Sequence, residues 1–263
     1  MHTNPDFPDL LRLIDDRSAA FRAAIAAAPD LDAKVPSCPE WTLHDLARHL
    51  GSGDRFWAAI VAAGPADGPP AEAVAARAAI VAPRERDALT AWLADSTQQL
   101  LDTLRAVGAE ADCWTWWPGS QTPQSAGGVA RHRVQESAVH TYDAQLANGA
   151  AEMLPEEVAL DGVEEFQFTC VATPVAWPHT PAVIDYHATE GRSWRLHLGA
   201  DGVQVEILTD LPTGAAATPA DVSARGSASE LVLFCYGRFS LDAMNIDGDR
   251  RIFQQLIDWD PSA

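Results

Sequence analysis

The spacing of apolar residues changes period part-way along the chain, and this change limits the possible folds more than any other feature of the sequence. Up to about residue 148 the spacing is helical; from about residue 180 it alternates. Leu10, Leu11, Ile14, Phe21 and Ile25 line one face of a first helix until Pro29 stops it. Thr42 followed by Asp45 resembles a capping box, with Trp41 and Leu46 as a hydrophobic staple, and predicts a second helix over residues 42–62. A third helix follows Pro83, carries Leu89, Trp92, Leu93, Leu100, Leu101 and Leu104, and ends at Gly108. A fourth spans residues 125–148 and is closed by Gly149. Four amphipathic helices of about 20 residues match an antiparallel bundle. The Ala-, Pro- and Gly-rich residues 62–79 read as a flexible link or a weak helix.

The second half opens with a helix over residues 155–169. Then Ile184, Tyr186 and Ala188 alternate with Asp185 and His187, Trp194, Leu196 and Leu198 with Arg195 and His197, and Val203, Val205 and Ile207 with Gln204 and Glu206. These predict half-buried antiparallel strands, joined by the turns TEGR and GADG. A further strand is expected over residues 220–225, and helices over 227–236 and 249–259. The expected fold class is α+β: a metal-binding four-helix bundle over residues 1–150, then a smaller α+β domain with an antiparallel sheet over residues 151–263.

With 18 basic and 37 acidic residues, a net charge of −19, the surface repels phosphate backbones and anionic headgroups, which argues against nucleic-acid and membrane partners. The longest stretch without a charged residue, 166–184, contains Pro174, Pro178 and Pro181 and cannot run as one spanning helix. The N-terminus MHTNPDFPDL lacks a basic start followed by an apolar run, so a cytoplasmic location is expected. Cys38, Cys113, Cys170 and Cys235 lie far from any metal-knuckle spacing and read as free structural thiols.

Glu136 and His140, four residues apart on the fourth helix, share one helical face and can clamp one metal ion. An isolated pair at this spacing is more often a solvated surface pair. His49, set between Leu46 and Leu50 on the second helix, adds a second imidazole if the bundle places the two helices side by side; a core histidine bonded to a carbonyl is the competing reading. Two imidazoles and a carboxylate with an open position suit catalytic zinc, and also Fe(II). His44, about 500° around the helix from His49, faces elsewhere.

The segment VPSCPEWTLHDLARHLGSGDRFW, residues 35–57, resembles the opening signature of the mycothiol-dependent maleylpyruvate isomerase family, whose N-terminal domain is a DinB-like four-helix bundle. WTWWPGSQTP, residues 114–123, and RVQESAVHTYDAQLANG, residues 133–149, resemble its second signature. SASELVLFCYGR, followed by Gly248 and Asp249, resembles its C-terminal domain. The resemblance covers nearly the whole chain. It implies a divalent metal, normally zinc, on His49, Glu136 and His140, and mycothiol as the thiol cosubstrate. One position departs from the family pattern: where a histidine often precedes the glutamate, this chain has Gln135, with His132 one turn earlier.

A metal-bound thiol is deprotonated near neutral pH because the cation stabilises the thiolate. In the family this thiolate adds to an electrophilic small molecule, giving cis/trans isomerisation or S-transfer. Arg238, in the YGR segment, is the candidate clamp for an anionic acceptor across a domain cleft, with Arg131 and Arg133 as the next candidates. Trp114, Trp116 and Trp117 either wall a pocket or fill the bundle core, and Asp143 orients a ligand, binds the helix's neighbours or is solvated. Two other readings stay open: a metal hydrolase in which the same ion activates water, and a non-catalytic protein whose second domain, sterol-carrier-like by the resemblance, holds an apolar ligand. The acceptor, the metal's identity and the oligomeric state are not legible in the sequence.

Overall fold

The computed structural model describes residues 4–208 and 219–261, which form two compact units. The first comprises residues up to Pro118 and Pro123–Leu154; the second comprises Gly119–Thr122 and the described residues from Pro155 onward.

In the first unit, α1 (Phe7–Ala27) begins where the Asp6 carboxylate accepts from the Asp9 backbone N–H at 2.9 Å and ends as Ala28 turns extended before Pro29. A short hairpin follows, β1 (Lys34–Val35) with β2 (Cys38–Thr42), which the periodicity did not announce. α2 (Leu43–Ala63) carries the capping box in full: Thr42 Oγ1 accepts from the Asp45 N–H at 3.1 Å, and Asp45 Oδ2 accepts from the Thr42 N–H at 3.0 Å. Such a cap contributes about 1 kcal/mol and fixes where the helix starts. Residues 71–79, expected as a link or weak helix, form a nine-residue helix, α3 (Ala71–Ala79). α4 (Arg86–Val107) stops at Gly108, whose φ of +81° is the left-handed conformation glycine tolerates. α5 (Ala126–Ala147) is capped by Ser125.

The bundle packs α1 against α5 and α4, and α2 against α4 and α5. Leu43, Leu46 and Leu50 of α2 meet Phe21 and Ile25 of α1 and Leu89 and Leu93 of α4 in one buried cluster. At Gly51 a Cβ would lie 2.2 Å from the Trp92 ring, so only glycine allows α2 and α4 to approach this closely. His44 is buried with Nε2 against the Pro83 carbonyl at 3.1 Å, the structural role its helical phase implied.

In the second unit, α6 (Glu156–Phe166) runs into a single π-helical turn, Gln167–Val171. Strands β3 (Ala182–Ala188), β4 (Ser193–Gly199) and β5 (Gly202–Leu208) form an antiparallel meander, as the alternation predicts. The expectation of a wholly antiparallel sheet fails at the next strand. β6 (Val222–Gly226) pairs with β3 in parallel, and β7 (Asn245–Gly248) closes the order β5-β4-β3-β6-β7. Alternation reports which face a side chain takes and is blind to strand direction.

The register Val205, Leu196, Ile184, Val222 collects apolar residues on one face, against which α7 (Ala228–Cys235) and α8 (Arg250–Asp258) pack. Phe253 of α8 meets Tyr186 and Phe234 edge-on at 5.6 and 5.8 Å. Gln121, read from sequence only as part of a signature, clasps the edge strand β5. Its Nε2 donates to the Val205 carbonyl at 2.9 Å and its Oε1 accepts from the Val205 N–H at 2.6 Å, extending the cover of an edge that Thr173 already pairs at Val203. Among the described residues no helix is long and apolar enough to cross a membrane.

Candidate metal centre

α2 carries His49 two turns from its cap, and α5 carries Glu136 and His140 one turn apart. Packing of α2 on α5 brings the three together: His49 Nε2 lies 3.3 Å from Glu136 Oε2, and the three donor atoms lie within 4.8 Å of one another. The two imidazoles stand edge to face, with centroids 5.1 Å apart at 80°. Trp41, the residue before the cap of α2, lies against both rings at 4.8 and 6.2 Å.

Behind His140, the Asp143 carboxylate accepts from Nδ1 at 2.8 Å and from the Ser37 hydroxyl at 2.5 Å. Asp143 is fully buried, so the bond is made out of water. With its proton held on Nδ1, His140 presents the lone pair of Nε2, the form a metal-binding imidazole takes. Ser37 belongs to the turn of the β1–β2 hairpin, which thus supports the site from below. Asp143 is not solvated: it is bonded both to His140 and, through Ser37, to the neighbouring hairpin.

Glu136 is supported from its own helix. Arg133 places Nε and Nη2 on Asp54 Oδ1 at 3.1 and 2.8 Å and turns Nη1 toward Glu136 Oε2 at 3.5 Å. Asp54 also accepts from Thr97 at 2.9 Å. Gly53 leaves room for this guanidinium, since a Cβ there would lie 3.2 Å from Nη1. Arg133 was a reserve candidate for gripping an acceptor. Buried and engaged by Asp54, it positions Glu136 instead.

Electrostatics prepare these groups as ligands. Burial pushes the His49 pKa below its ordinary value, with the His140 charge adding and the Glu136 bond opposing, so the imidazole is neutral near pH 7. Burial raises the Glu136 pKa, but the His49 bond and the charges of His140, His132 and Arg133 outweigh it and hold the carboxyl well below the usual range. The donor set therefore fits a divalent ion. The separation of His49 Nε2 from Glu136 Oε2, 3.3 Å, is close to the edge of a tetrahedron about zinc, roughly 3.4 Å for bonds of about 2.1 Å.

Comparison with known proteins finds two family profiles. One, the mycothiol maleylpyruvate isomerase N-terminal domain, matches residues 11–145; the other, the C-terminal domain of the same family, matches residues 157–255. The chain belongs to the mycothiol maleylpyruvate isomerase family. The family is one of enzymes, and both of its domains are present here. Two solved structures share the fold, a mycothiol-dependent maleylpyruvate isomerase and a histidine-to-alanine mutant of it. Each is 14% identical over 94% of this chain and 96% of the other, with TM-scores of 0.56 and 0.58. No protein among curated sequences matches.

Around the centre, the family signature 114–123 divides between roles. Trp117 is buried, whereas Trp116 is nearly half exposed. With Trp57 they surround His132 at 5.4 to 6.4 Å between centroids. His132, one turn before Glu136, is thus held among indole rings, and Gln135 is fully buried. Arg238 lies on the turn after α7 in the second unit, half-buried, with Nη1 donating to the Tyr236 carbonyl at 2.6 Å. The second unit also holds a cavity of about 460 Å³ with mostly apolar walls, among them Phe166, Tyr186, Phe234 and Phe253. Burial pushes the Cys235 thiol at its wall up to about 12, which keeps it unreactive near neutral pH.

Proposed function

We propose that this protein is a divalent-metal enzyme, with zinc held by His49, Glu136 and His140, that activates mycothiol for addition to an electrophilic small molecule. What supports this is the buried chain Ser37, Asp143, His140 converging with Glu136 and His49, in a member of an enzyme family whose name carries that thiol. A divalent ion at these donors would make a bound thiol a thiolate near neutral pH.

The chain's own residues prepare that chemistry. Asp143 fixes the His140 tautomer, Asp54 and Arg133 keep the Glu136 carboxylate aimed, and Trp41 shields one side of both imidazoles. Three protein donors leave a position for the cosubstrate sulfur. Addition of that sulfur to a conjugated double bond leaves a single bond free to rotate; expulsion of the same thiolate restores the double bond in the trans form. Where the sulfur stays attached, the outcome is S-transfer. Arg238 is the proposed anion-binding residue of the second unit, and a cytoplasmic location belongs to the same proposal.

The test pairs metal analysis with thiol dependence. Purified protein should hold about one zinc per chain, and His49→Ala, Glu136→Ala and His140→Ala should each lose most of it while keeping their helical signal. A variant lacking all four cysteines should turn over a cis-unsaturated electrophile only when mycothiol is added. Full metal content in all three single variants would remove the centre. Turnover without any thiol would favour hydrolysis through activated water.

A further inference from the structure

The cavity of the second unit is built by that unit alone, since every residue lining it belongs there. Its floor is aromatic: Tyr186 of β3, Phe234 of α7 and Phe253 of α8 are buried, and the first two rings both meet Phe253 edge-on. The π-helical turn after α6 forms another wall through Cys170 and Val171. A single turn of this kind interrupts the regular helix and is found frequently at functional sites. Exposed Gly237 and Ile257 lie at the rim.

One polar group in this wall has no use inside the protein. Tyr186 is only 4% exposed, and among the described residues no hydrogen-bond partner meets its hydroxyl. Native proteins rarely leave a buried hydroxyl unpaired. The nearby Tyr236 shows the ordinary arrangement, its hydroxyl donating to Glu165 at 3.2 Å. Burial pushes the Tyr186 pKa well above its ordinary value, so the group keeps its proton and stands ready to donate.

Charge and size limit the occupant. None of the described residues lining the cavity is charged, so nothing there offsets a carboxylate or ammonium group taken out of water. A dry cavity of about 150 Å³ holds one benzene ring, so a volume of about 460 Å³ has room for roughly two or three fused rings. Aromatic walls favour such rings through offset and edge-to-face contacts.

We propose that this cavity binds an uncharged fused-ring aromatic molecule carrying a carbonyl oxygen, with the Tyr186 hydroxyl donating to that oxygen. Binding of this kind requires neither the metal nor a thiol, and it stands whether or not the metal-and-thiol reading holds.

The probes are 2-acetylnaphthalene, 2-ethylnaphthalene, which has nearly the same shape and lacks the oxygen, and the anion 2-naphthoate. Equilibrium dialysis against the full chain, without any thiol, measures each for wild type and Tyr186→Phe. The substitution removes a hydroxyl that holds no partner, so the melting temperature should not fall. Wild type should bind both neutral probes and hold 2-naphthoate far more weakly. In Tyr186→Phe, affinity for 2-acetylnaphthalene should drop roughly 3- to 10-fold, the loss of one neutral hydrogen bond, while 2-ethylnaphthalene binds as before. Wild-type protein that takes up neither neutral probe at its solubility limit would overturn the proposal. So would equal affinity of the two proteins for 2-acetylnaphthalene, or 2-naphthoate bound as tightly as the ketone.

Discussion

Replacing Asp143 by Asn should weaken zinc binding while leaving the fold in place, because the two groups differ by a charge and hardly in shape. Asp143 is fully buried and accepts hydrogen bonds from His140 Nδ1 at 2.8 Å and from Ser37 at 2.5 Å. An asparagine oxygen can still accept from Nδ1, and its amide can donate to Ser37, whose hydroxyl turns to accept. The tautomer of His140 survives; what disappears is the negative charge that makes its imidazole a stronger donor. Loss of such a partner lowers metal affinity about 10- to 100-fold, or roughly 1.4 to 2.7 kcal/mol. A hydrogen bond to a charged group gives a similar figure, about 1.5 to 3 kcal/mol. Competition against a chromophoric chelator near neutral pH measures this directly, with a thermal melt of the metal-free protein as the control for folding. Ser37→Ala, which removes one hydrogen bond and keeps the charge, should cost only a few-fold. Zinc affinity within about twofold of wild type in a folded Asp143→Asn protein would show that the carboxylate does not tune the centre.

Two further outcomes follow from buried groups outside the donor set. Asp54→Ala strands the Arg133 guanidinium, which is only 2% exposed, and should destabilise the bundle by about 3–5 kcal/mol, whereas Asp54→Leu combined with Arg133→Leu should recover most of this; a urea-unfolding loss below about 1 kcal/mol for Asp54→Ala would refute the ion pair's role. Cys113 and Cys235 are raised by burial to about 11 and about 12 from an ordinary 9.0, so their contribution to stability is complete below about pH 9 and is lost as pH rises through 11 to 12. Accordingly, Cys113, which is buried, should resist alkylation at pH 8 until the chain unfolds, and its rapid modification in the native protein would contradict that burial.

The sequence by itself determined most of the local structure and named the candidate donors. A cap such as Thr42 with Asp45, or a stop such as Gly108, acts within a few residues, and apolar period reports directly on helix or strand; the four long helices and the three-strand meander were therefore legible. The spacing of Glu136 and His140 is also local; His49 is a candidate from its place on the second helix, and the family resemblance points to the same three residues. Tertiary structure decided everything that joins distant residues. The parallel pairing of β6 with β3 has no local signature. Ser37 reaches Asp143 across 106 residues and Arg133 reaches Asp54 across 79; in sequence, each of these polar residues could equally be solvated. A polar side chain's role is set by whether water or a partner surrounds it. That follows from long-range packing, where burial removes water and makes each remaining hydrogen bond or charge decisive.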